Sequence, residues 1–440
     1  MLLDDALAAL VTGSNRLCAC GRPHRLETAE LHATPGSLEG LCGYLARFCP
    51  DSPLALVADD QTWRAAGARV RDLLRAGGYE VRVCALGGGE LHADEHTLGS
   101  LLIQGEGAGF LLAVGSGVIN DATRYVAART GVPYGVIATA PSMDGYLSKT
   151  SPLTRAGFKF THPGISPSLV VADPEITATA PRALVAAGLG DLLGKYQAQL
   201  DWRIAHAVCG EWFCPDISDA MAGAADLALA AAPGAARGDR EALALLTQAL
   251  LLAGAGMQLA GSSRPASGCE HHMAHYWEIM EGRRGPVRLH GDKVGVGAGL
   301  ACLLDEAFFR GAPPRELPRW ERAAWEKGMR AHFGAAADVA IQETAPFYFH
   351  PEWPLWLERL QAQWEELGEL ARDVACRRER ILGTLRLLDG PALPADRGSE
   401  VRDTLAWAPM VRGRMTVLSL MRRLGCDRQL EEVAAHANRG

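Results

Sequence analysis

Histidines grouped in the second half of the chain have the residue types and spacing to bind a metal ion. If a helix covers His271, then His275 lies one turn further along the same face, because residues four apart share a helix face. His290 follows on a later segment, after a break at Gly282 and Gly285. Two imidazoles from separate segments and one carboxylate from elsewhere make a three-ligand site with an open position, as a catalytic metal requires. The alternative is an exposed histidine cluster at a helix end.

A candidate for the missing carboxylate lies about eighty residues upstream, in the motif GLGDLLGK. Asp191 and Lys195 are four residues apart there, one helical turn. They could form an ion pair on a helix surface, worth a few tenths of a kcal/mol. Alternatively, Asp191 supplies the hard oxygen ligand that the histidines lack. Both interpretations stay open on spacing alone.

The elements that must position these groups begin with apolar runs that alternate with amphipathic stretches. The runs predict strands at 54–58, 80–86, 110–114 and 134–138, with helices between them. Such alternation is typical of a doubly wound, mostly parallel sheet of the Rossmann-like kind. Helical patterns dominate from Pro181 onward. We therefore predict a nucleotide-binding α/β domain at 1–175 and an all-helical domain at 176–440.

The loop Gly115-Ser116-Gly117-Val118-Ile119-Asn120-Asp121 lies directly between a predicted strand and a predicted helix. Glycines there let the backbone approach a pyrophosphate, whose charge the N–H groups of the helix start can bind. The pattern is not G-x-G-x-x-G, so the ordinary dinucleotide fingerprint does not apply. A structural tight turn is an equal alternative.

A second polar loop, Thr139–Ser148, follows the next predicted strand with the sequence TAPSMDGYLS. Open α/β sheets bind ligands at this carboxyl edge, and the hydroxyls and Asp144 can bond a ribose, a phosphate or a polyol. A capped turn at Asp144 is the alternative. Asp60, just past the first strand of the series, is interpreted as either a ribose ligand or a helix N-cap.

Composition narrows the classes of function. A formal net charge of −7 argues against a nucleic-acid-binding face. The N-terminus carries acids where an export signal carries basic residues, and the apolar window Ala242–Ala260 contains polar residues and glycines, which indicates a buried core helix and not a membrane span. Eleven scattered cysteines suit reduced thiols, so we expect a cytoplasmic protein.

Cys18 and Cys20, with His24, could form half of a zinc site. No second cysteine pair follows at the spacing of a zinc finger, so the sequence alone does not favour a metal there. The same caution applies to Cys209 and Cys214.

Taken together, four motifs resemble one family. They are VGSGVINDATRYVAARTGVPYGVIATAPSMDGYLS, GLGDLLGKYQAQLDW, SRPASGCEHHMAHYWE and LHGDKVGVG, and the tail RDTLAWAPMVRGRMTVLSL is also similar. Their order and spacing, from about residue 54 to about residue 299, resemble the sn-glycerol-1-phosphate dehydrogenases. Those belong to the superfamily of iron-containing alcohol dehydrogenases and dehydroquinate synthases, and the bacterial, arabinose-operon-associated members are the nearer match. Ser116 departs from the pattern, since many members have a third glycine there.

The resemblance implies roles for individual residues. A metal would be held by Asp191, His271 and His290, while Asp144, Asp191 and His275 would contact substrate. His272 inherits no role, and we interpret it as exposed or as lying behind the ligands. Together with Asp60 and Gly115 from the loops above, the expected cofactor contacts are Gly117, Val118, Ile119, Asn120, Asp121, Thr139, Ala140, Pro141, Ser142 and Ser148.

The implied reaction is reduction of dihydroxyacetone phosphate to sn-glycerol 1-phosphate by NADH or NADPH. One divalent metal, nickel or zinc with iron as a further option, would polarise the carbonyl, and His275 would transfer the proton with a suitable pKa. The basic residues that could bind the substrate phosphate are Arg264, Lys159, Arg288 and Lys293.

Three alternatives remain beside this reaction. A glycerol or related polyol dehydrogenase would use the same metal and cofactor. A cyclase of the dehydroquinate synthase kind usually carries Glu at the carboxylate ligand, so Asp191 speaks against it. A non-catalytic binding protein would keep the fold without complete motifs. We also expect a small phosphorylated triose or glycerol as partner, and a homodimer or larger homo-oligomer.

Overall fold

The computed structural model describes residues 2–11, 17–49, 52–87, 91–155, 158–281, 288–389 and 398–437. The chain divides into two compact units: a first unit of Met1–Leu192 and Gly223–Ser263, and a second unit of Leu193–Ala222 and Arg264–Gly440. This division differs from the predicted boundary near residue 175. The physical reason is that helices beyond residue 175 pack within the same unit as the sheet.

The strands all belong to the first unit. They are β1 Glu30–His32, β2 Leu54–Ala58, β3 Val81–Ala85, β4 Phe110–Gly115, β5 Tyr134–Ala138, β6 Thr150–Arg155, β7 Phe158–Pro163 and β8 Leu169–Val171. Within the described residues, six of them form a parallel sheet in the order β1-β8-β5-β4-β2-β3. The other two, β6 and β7, pair as an antiparallel hairpin.

The central strands form where the sequence has unbroken apolar runs. Every residue of β2, β4 and β5 is buried, as expected for parallel strands covered on both faces. Edge strand β3 has both buried and exposed positions. The four strands predicted from the sequence are therefore confirmed, and with them the doubly wound fold class.

The helices of the first unit include α1 Leu2–Leu10, α2 Leu41–Leu45, α3 Asp60–Thr62, α4 Ala68–Ala76, α5 Glu95–Gln104, α6 Gly117–Thr130, α7 Pro174–Thr177 and α8 Arg182–Leu193. Several of these helices, α2, α4, α5 and α6 among them, contact the strands of this sheet. Between α3 and α4 the helix continues as a π-helical turn at Trp63–Gly67. A short 3-10 turn at Gly145–Leu147 follows Asp144.

The second unit is helical. Its first helix is α9 Lys195–Cys209, and α10 Pro215–Ala236 runs from this unit back into the first, where α11 Arg240–Ala260 follows. The remaining helices are α12 Cys269–Glu281, α13 His290–Phe309, α14 Arg322–Phe333, α15 Ala337–Tyr348, α16 Trp353–Ala362, α17 Trp364–Ala375, α18 Arg378–Leu387, α19 Gly398–Trp407, α20 Val417–Arg423 and α21 Asp427–Ala437. Past Pro181, the part of the chain that the structure describes contains no strand, as the sequence predicts.

Helix α11 is the one helix among the described residues that is long and apolar enough to cross a membrane. Its most apolar window is 78% buried inside the protein. The helix packs against α1, against α7 and against the turn Gly145–Leu147. It is therefore a core helix of the first unit, as its polar residues and glycines predict.

Candidate functional site

The sheet of the first unit has a topological switch point between β2 and β4. From β2 the chain moves outward to β3, then returns to β4 on the other side of β2. Ligands of open α/β sheets bind in the crevice that such a reversal leaves at the carboxyl ends of the strands. Asp60 follows β2 and the glycine loop follows β4, so both predicted cofactor elements lie at this crevice.

The glycine loop presents the start of a fourteen-residue helix, α6. Its N-cap residue, Ser116, makes no side-chain capping bond. The first turn of the helix folds closely over Gly115, where an added Cβ would meet the Ile119 Cβ at 2.7 Å. A cofactor phosphate fits such a helix start, because the first N–H groups and the helix dipole favour an anion.

The loop Thr139–Ser148 lies against the glycine loop. The Thr139 amide donates to the Gly115 carbonyl (3.1 Å), and the Asn120 side-chain amide donates to the Gly145 carbonyl (3.3 Å). The Tyr146 hydroxyl donates to the Ala140 carbonyl (2.6 Å). Thr139, Ala140, Pro141 and Ser142 are all buried, whereas Ser148 is half-buried and bonds with Thr150. The structure thus brings the two predicted cofactor loops together.

Asp121 has a clear structural partner. Its carboxylate pairs with the wholly buried Arg124 (2.6 Å), whose guanidinium also donates to the Thr150 carbonyl (2.9 Å) and to the Tyr134 hydroxyl (2.9 Å). This pairing holds the chain near Thr150 against α6. The prediction that Asp121 contacts the cofactor did not include this ion pair with Arg124.

Asp60 does not cap a helix, contrary to one of the two sequence interpretations. The N-cap of α3 is Asp59, whose carboxylate accepts the amides of Gln61 (2.8 Å) and Thr62 (2.7 Å). Asp60 is the exposed first residue of that helix. A Cβ added to Gly87, beyond the end of β3, would lie 3.9 Å from the carboxylate oxygens of Asp60.

Asp191 is buried on α8 and lies beside the second loop. Its Oδ2 accepts the amide of Asp144 (3.0 Å). The close approach depends on Gly188, because a Cβ there would stand 1.9 Å from the Pro141 carbonyl oxygen. On α11, a Cβ on Gly254 would stand 2.6 Å from the Asp144 carbonyl oxygen. Glycines on two helices therefore let the loop pack tightly and place Asp144 next to Asp191.

The histidine cluster lies in the second unit, on α12 and at the start of α13. The predicted helix through His271 and His275 is confirmed, and their ring centroids are 6.1 Å apart. The ring of His290, the first residue of α13, lies 5.3 Å from each of them. The three imidazoles therefore converge. Gly282 and Gly285, the predicted break, lie outside the described residues.

Carboxylates orient all three rings, which the sequence interpretation did not assign. Glu270 lies 2.8 Å from His271 Nδ1. One carboxylate, Glu278, lies 3.1 Å from His275 Nδ1 and 2.9 Å from His290 Nδ1. Metal-binding histidines characteristically donate their second ring N–H to such a carboxylate, which directs the opposite nitrogen to the ion. The sequence carries a signal for this arrangement: on one helix, Glu270 precedes His271 by one residue and Glu278 follows His275 by three.

Two expectations about the histidines need correction. Burial lowers the pKa of His275 to about 4 against the opposing effect of Glu278, so its pKa is not near neutrality. Burial also lowers the pKa of His271 well below its usual range, as does the positive charge of Lys195. His272 is fully buried, not exposed, and among the described residues neither of its ring nitrogens has a hydrogen-bond partner.

Three arginines of the second unit lie around this buried ring, and we call them the arginine group: Arg264, Arg412 and Arg414. Their charges, after burial itself, lower the pKa of His272. Arg264 is buried, pairs with Glu211 (3.1 Å) and donates to the Met415 carbonyl (2.6 Å), which fastens it to the segment that carries the other two. Burial, then its arginine neighbours, lower the pKa of Arg414. Cations concentrated in this way form a suitable environment for an anion.

Of the basic residues singled out from the sequence, Arg264 alone belongs to this group. Arg288 is exposed, and Lys293 is buried on the first turn of α13. The side chain of Lys159 lies outside the described part of the structure. Arg412 and Arg414 were missed, because only the folded chain brings them near residues about 140 positions earlier.

The structure thus assembles the predicted residues in two sets. Asp144, Asp191 and both cofactor loops belong to the first unit, and His271, His275 and His290 belong to the second. That Asp191 shares one ion with the histidines stays a prediction. The donor types fit a divalent metal, since carboxylate-oriented imidazoles and a carboxylate are ligands for zinc, nickel or iron.

Known proteins resemble this chain in sequence. Residues 32–181 match the model of the iron-containing alcohol dehydrogenase family. A glycerol-1-phosphate dehydrogenase [NAD(P)+] of Halalkalibacterium halodurans is 38% identical over 313 residues, which are 69% of this chain and 76% of that protein. The protein of the same name from Bacillus licheniformis is 37% identical, over 64% of this chain and 71% of its own.

Solved structures agree on the fold. An iron-containing alcohol dehydrogenase from Thermococcus thioreducens superposes with a TM-score of 0.63 at 16% identity, covering 95% of this chain and all of its own. At that identity the likeness concerns the fold alone, whereas this chain matches each of the two sequence relatives over more than two thirds of that relative's length. The chain therefore belongs to the glycerol-1-phosphate dehydrogenase family, a branch of the iron-containing alcohol dehydrogenases.

Proposed function

We propose that this chain reduces dihydroxyacetone phosphate to sn-glycerol 1-phosphate with NADH or NADPH, and catalyses the reverse oxidation. The observation that carries the proposal is the convergence of three imidazoles, each backed by a carboxylate. The names of the two curated relatives support the substrate. The glycine loop at the switch point supports the cofactor.

We assign the metal to Asp191, His271 and His290. Glu270 and Glu278 fix the rings of the two histidines through Nδ1, which leaves Nε2 as the nitrogen directed to the ion. Asp191 is held by the amide of Asp144 in a buried position, where an anionic ligand is stabilised by binding a cation. When bound, the metal supplies a Lewis acid for the C2 oxygen of the substrate, and the nicotinamide supplies or accepts the hydride.

His275 is our candidate for proton transfer. With Nδ1 held by Glu278 and a lowered pKa, the ring is neutral at pH 7, and its opposite nitrogen can accept a proton. During oxidation of glycerol 1-phosphate, His275 would take the proton of the C2 hydroxyl as hydride leaves C2, and Glu278 would stabilise the resulting imidazolium. During reduction the same proton returns to the C2 oxygen.

Residues of the first unit would hold the cofactor and the reacting end of the substrate. The amides that begin α6 bind the pyrophosphate, and the loop Thr139–Ser148 lines the nicotinamide side, with Asp144 directed to the substrate. The exposed carboxylate of Asp60 at the end of β2 suits a ribose diol and would repel a 2′-phosphate, which favours NADH over NADPH.

The arginine group would bind the substrate phosphate. Arg264 is fastened beside Arg412 and Arg414 by its bond to the Met415 carbonyl, and Gly413 packs so closely on α15 that a Cβ would stand 2.5 Å from the Glu343 carbonyl oxygen. That packing fixes the backbone between the two arginines. Guanidinium groups recognise phosphate through paired, charge-assisted hydrogen bonds. A phosphorylated substrate therefore suits the second unit better than glycerol does.

The proposal is tested by following NADH oxidation with dihydroxyacetone phosphate and with dihydroxyacetone, in the presence of nickel or zinc. We expect turnover with the phosphorylated substrate and its loss after treatment with a chelator. Activity with glycerol and NAD⁺ but none with dihydroxyacetone phosphate would instead identify a glycerol dehydrogenase. Retention of bound cofactor without net NADH consumption would indicate a cyclase.

The same assay distinguishes the role of the arginine group. Arg414→Gln should raise KM for dihydroxyacetone phosphate roughly tenfold to a hundredfold, because a hydrogen bond to a charged group contributes about 1.5–3 kcal/mol. Its slow reaction with unphosphorylated dihydroxyacetone should not change. Arg402→Gln, on the surface where Arg402 pairs with Glu431, is the matched control. An equal loss with both substrates would assign Arg414 to the fold instead of to the phosphate.

The cellular location and the oligomeric state are proposed in general terms only. All eleven cysteines are among the described residues and none of them forms a disulfide, which supports a cytoplasmic location. A homodimer or larger homo-oligomer, and nickel or zinc as the metal, stay predictions from the sequence. Elemental analysis and the mass of the protein in solution test them.

A further inference from the structure

A turn near the N-terminus brings together residue types that bind zinc. The Cys18 amide donates to the Arg22 carbonyl (3.0 Å), and the Gly21 amide donates to the Cys18 carbonyl (2.9 Å). Gly21 has φ +83°, a left-handed conformation that glycine adopts without strain. This reversal folds the segment Cys18–His24 back on itself and turns its two thiols and its imidazole to one side.

The three ligand atoms have the separations of a metal site. Sγ of Cys18, Sγ of Cys20 and a ring nitrogen of His24 lie within 4.8 Å of one another. Cys20 Sγ is 3.4 Å from His24 Nε2. Tetrahedral zinc, with Zn–S of about 2.3 Å and Zn–N of about 2.0 Å, separates such ligands by about 3.5 Å. The observed distance matches that geometry.

The surroundings of the ligand atoms are also those of a metal site. His24 is 1% exposed, and its Nδ1 lies 3.3 Å from the Leu259 carbonyl near the end of α11. A backbone acceptor at Nδ1 selects the tautomer whose Nε2 lone pair faces the thiols. The Cys20 amide points at Cys18 Sγ (3.5 Å), an N–H···S contact that stabilises a thiolate.

We propose that Cys18, Cys20 and His24 bind a structural zinc ion, separate from the catalytic metal. Zinc takes a fourth ligand, which a water or a thiolate outside the turn would supply. The sequence alone did not favour this site, because no second cysteine pair follows at the spacing of a zinc finger. In the fold, His24 lies beside Cys20, so a second cysteine pair is not needed. The site does not depend on the proposed reaction.

The zinc would fasten the N-terminal segment to α11. Directly after the turn, the amides of Glu27 and Thr28 donate to the Gln258 side chain (3.1 and 3.4 Å), whose own amide donates to the Leu147 carbonyl (2.7 Å). Leu147 belongs to the loop Thr139–Ser148. A metal at the turn would therefore stabilise the segment that is connected, through the Gln258 side chain, to a predicted cofactor loop.

Cobalt substitution tests the proposal with a readout other than activity. Thiolate ligands give cobalt(II) intense charge-transfer bands in the near ultraviolet, whereas the catalytic set of imidazoles and a carboxylate does not. We expect these bands in the wild-type full chain and in His271→Ala. They should disappear in Cys20→Ser, together with one zinc per chain by elemental analysis. Cys376→Ser, at an exposed thiol, is the matched control and should lose neither.

A second experiment uses the wild-type protein, so its result does not depend on whether a variant folds. A mercurial that reacts with thiols should release one zinc per chain into a chromogenic chelator. Cobalt protein without thiolate bands, or a Cys20→Ser protein that folds and keeps all its zinc, would overturn the proposal. A Cys18–Cys20 disulfide in protein purified under reducing conditions would also overturn it, since a disulfide is not a zinc ligand.

Discussion

At the scale of single residues, the chemistry of the site depends on pairs of side chains. The sequence pointed to His271, His275 and His290 because residues four apart share a helix face and because the neighbouring motifs are distinctive. It did not show that one carboxylate, Glu278, orients two of those rings. That arrangement requires α12 to pack against α13, which no local spacing determines. Partners that converge through packing are the part of a site that sequence reasoning misses.

Replacing Glu278 by Gln tests this pairing. The amide keeps the shape of the side chain but cannot accept from both imidazoles as a carboxylate does. Removing such an orienting carboxylate typically weakens metal binding tenfold to a hundredfold, so we expect about that rise in the zinc Kd, measured by competition with a chelator. Glu326→Gln, on the surface of α14 beside Arg322 and Arg330, is the control and should leave the Kd unchanged. Equal affinity in both variants would contradict the proposed orientation.

At the scale of elements, the central sheet was predictable and its edges were not. The apolar runs of β2, β4 and β5 are long because both faces of these strands are buried. Edge strand β1, only three residues with polar ends, carries no such signal, and its pairing with β8 is determined by contacts distant in sequence. Helix α6 begins at Gly117, within the loop that the sequence placed before the helix, because the glycine loop itself forms its first turn.

The close contact between α8 and the cofactor loop gives a prediction for Gly188. Gly188→Ala would force its Cβ against the Pro141 carbonyl oxygen, 1.9 Å away without a backbone shift. We expect the free energy of unfolding to fall by about 1–3 kcal/mol, as for an overpacked core, and KM for NADH to rise as the loop moves. Denaturant unfolding and NADH titration measure both.

Gly223→Ala is the matched control on α10, where an added Cβ meets nothing within 4 Å. There the better helix propensity of alanine should leave stability unchanged or raise it by up to about 1 kcal/mol. If Gly188→Ala were as stable as this control, the loop would not depend on close packing against α8.

At the scale of the whole molecule, the predicted site draws on both compact units. The first unit holds Asp191 and the cofactor loops, and the second holds the histidines and the arginine group. The sequence motifs pointed to Asp191, the cofactor loops, the three histidines and Arg264. They could not place the domain boundary, because α8 and α11 belong with the sheet although their patterns are helical. Nor could they find Arg412 and Arg414, which only tertiary folding brings beside His272.

The central claim is that one ion joins Asp191 of the first unit to His271 and His290 of the second. Its most direct test is the metal content of Asp191→Asn, His290→Ala and the double variant, each relative to the wild type. We predict that each single variant lacks the same one equivalent, that the double variant lacks no more, and that all three still bind NADH. Full metal content in Asp191→Asn, with loss in His290→Ala, would contradict the claim and place the ion among the residues of the second unit alone.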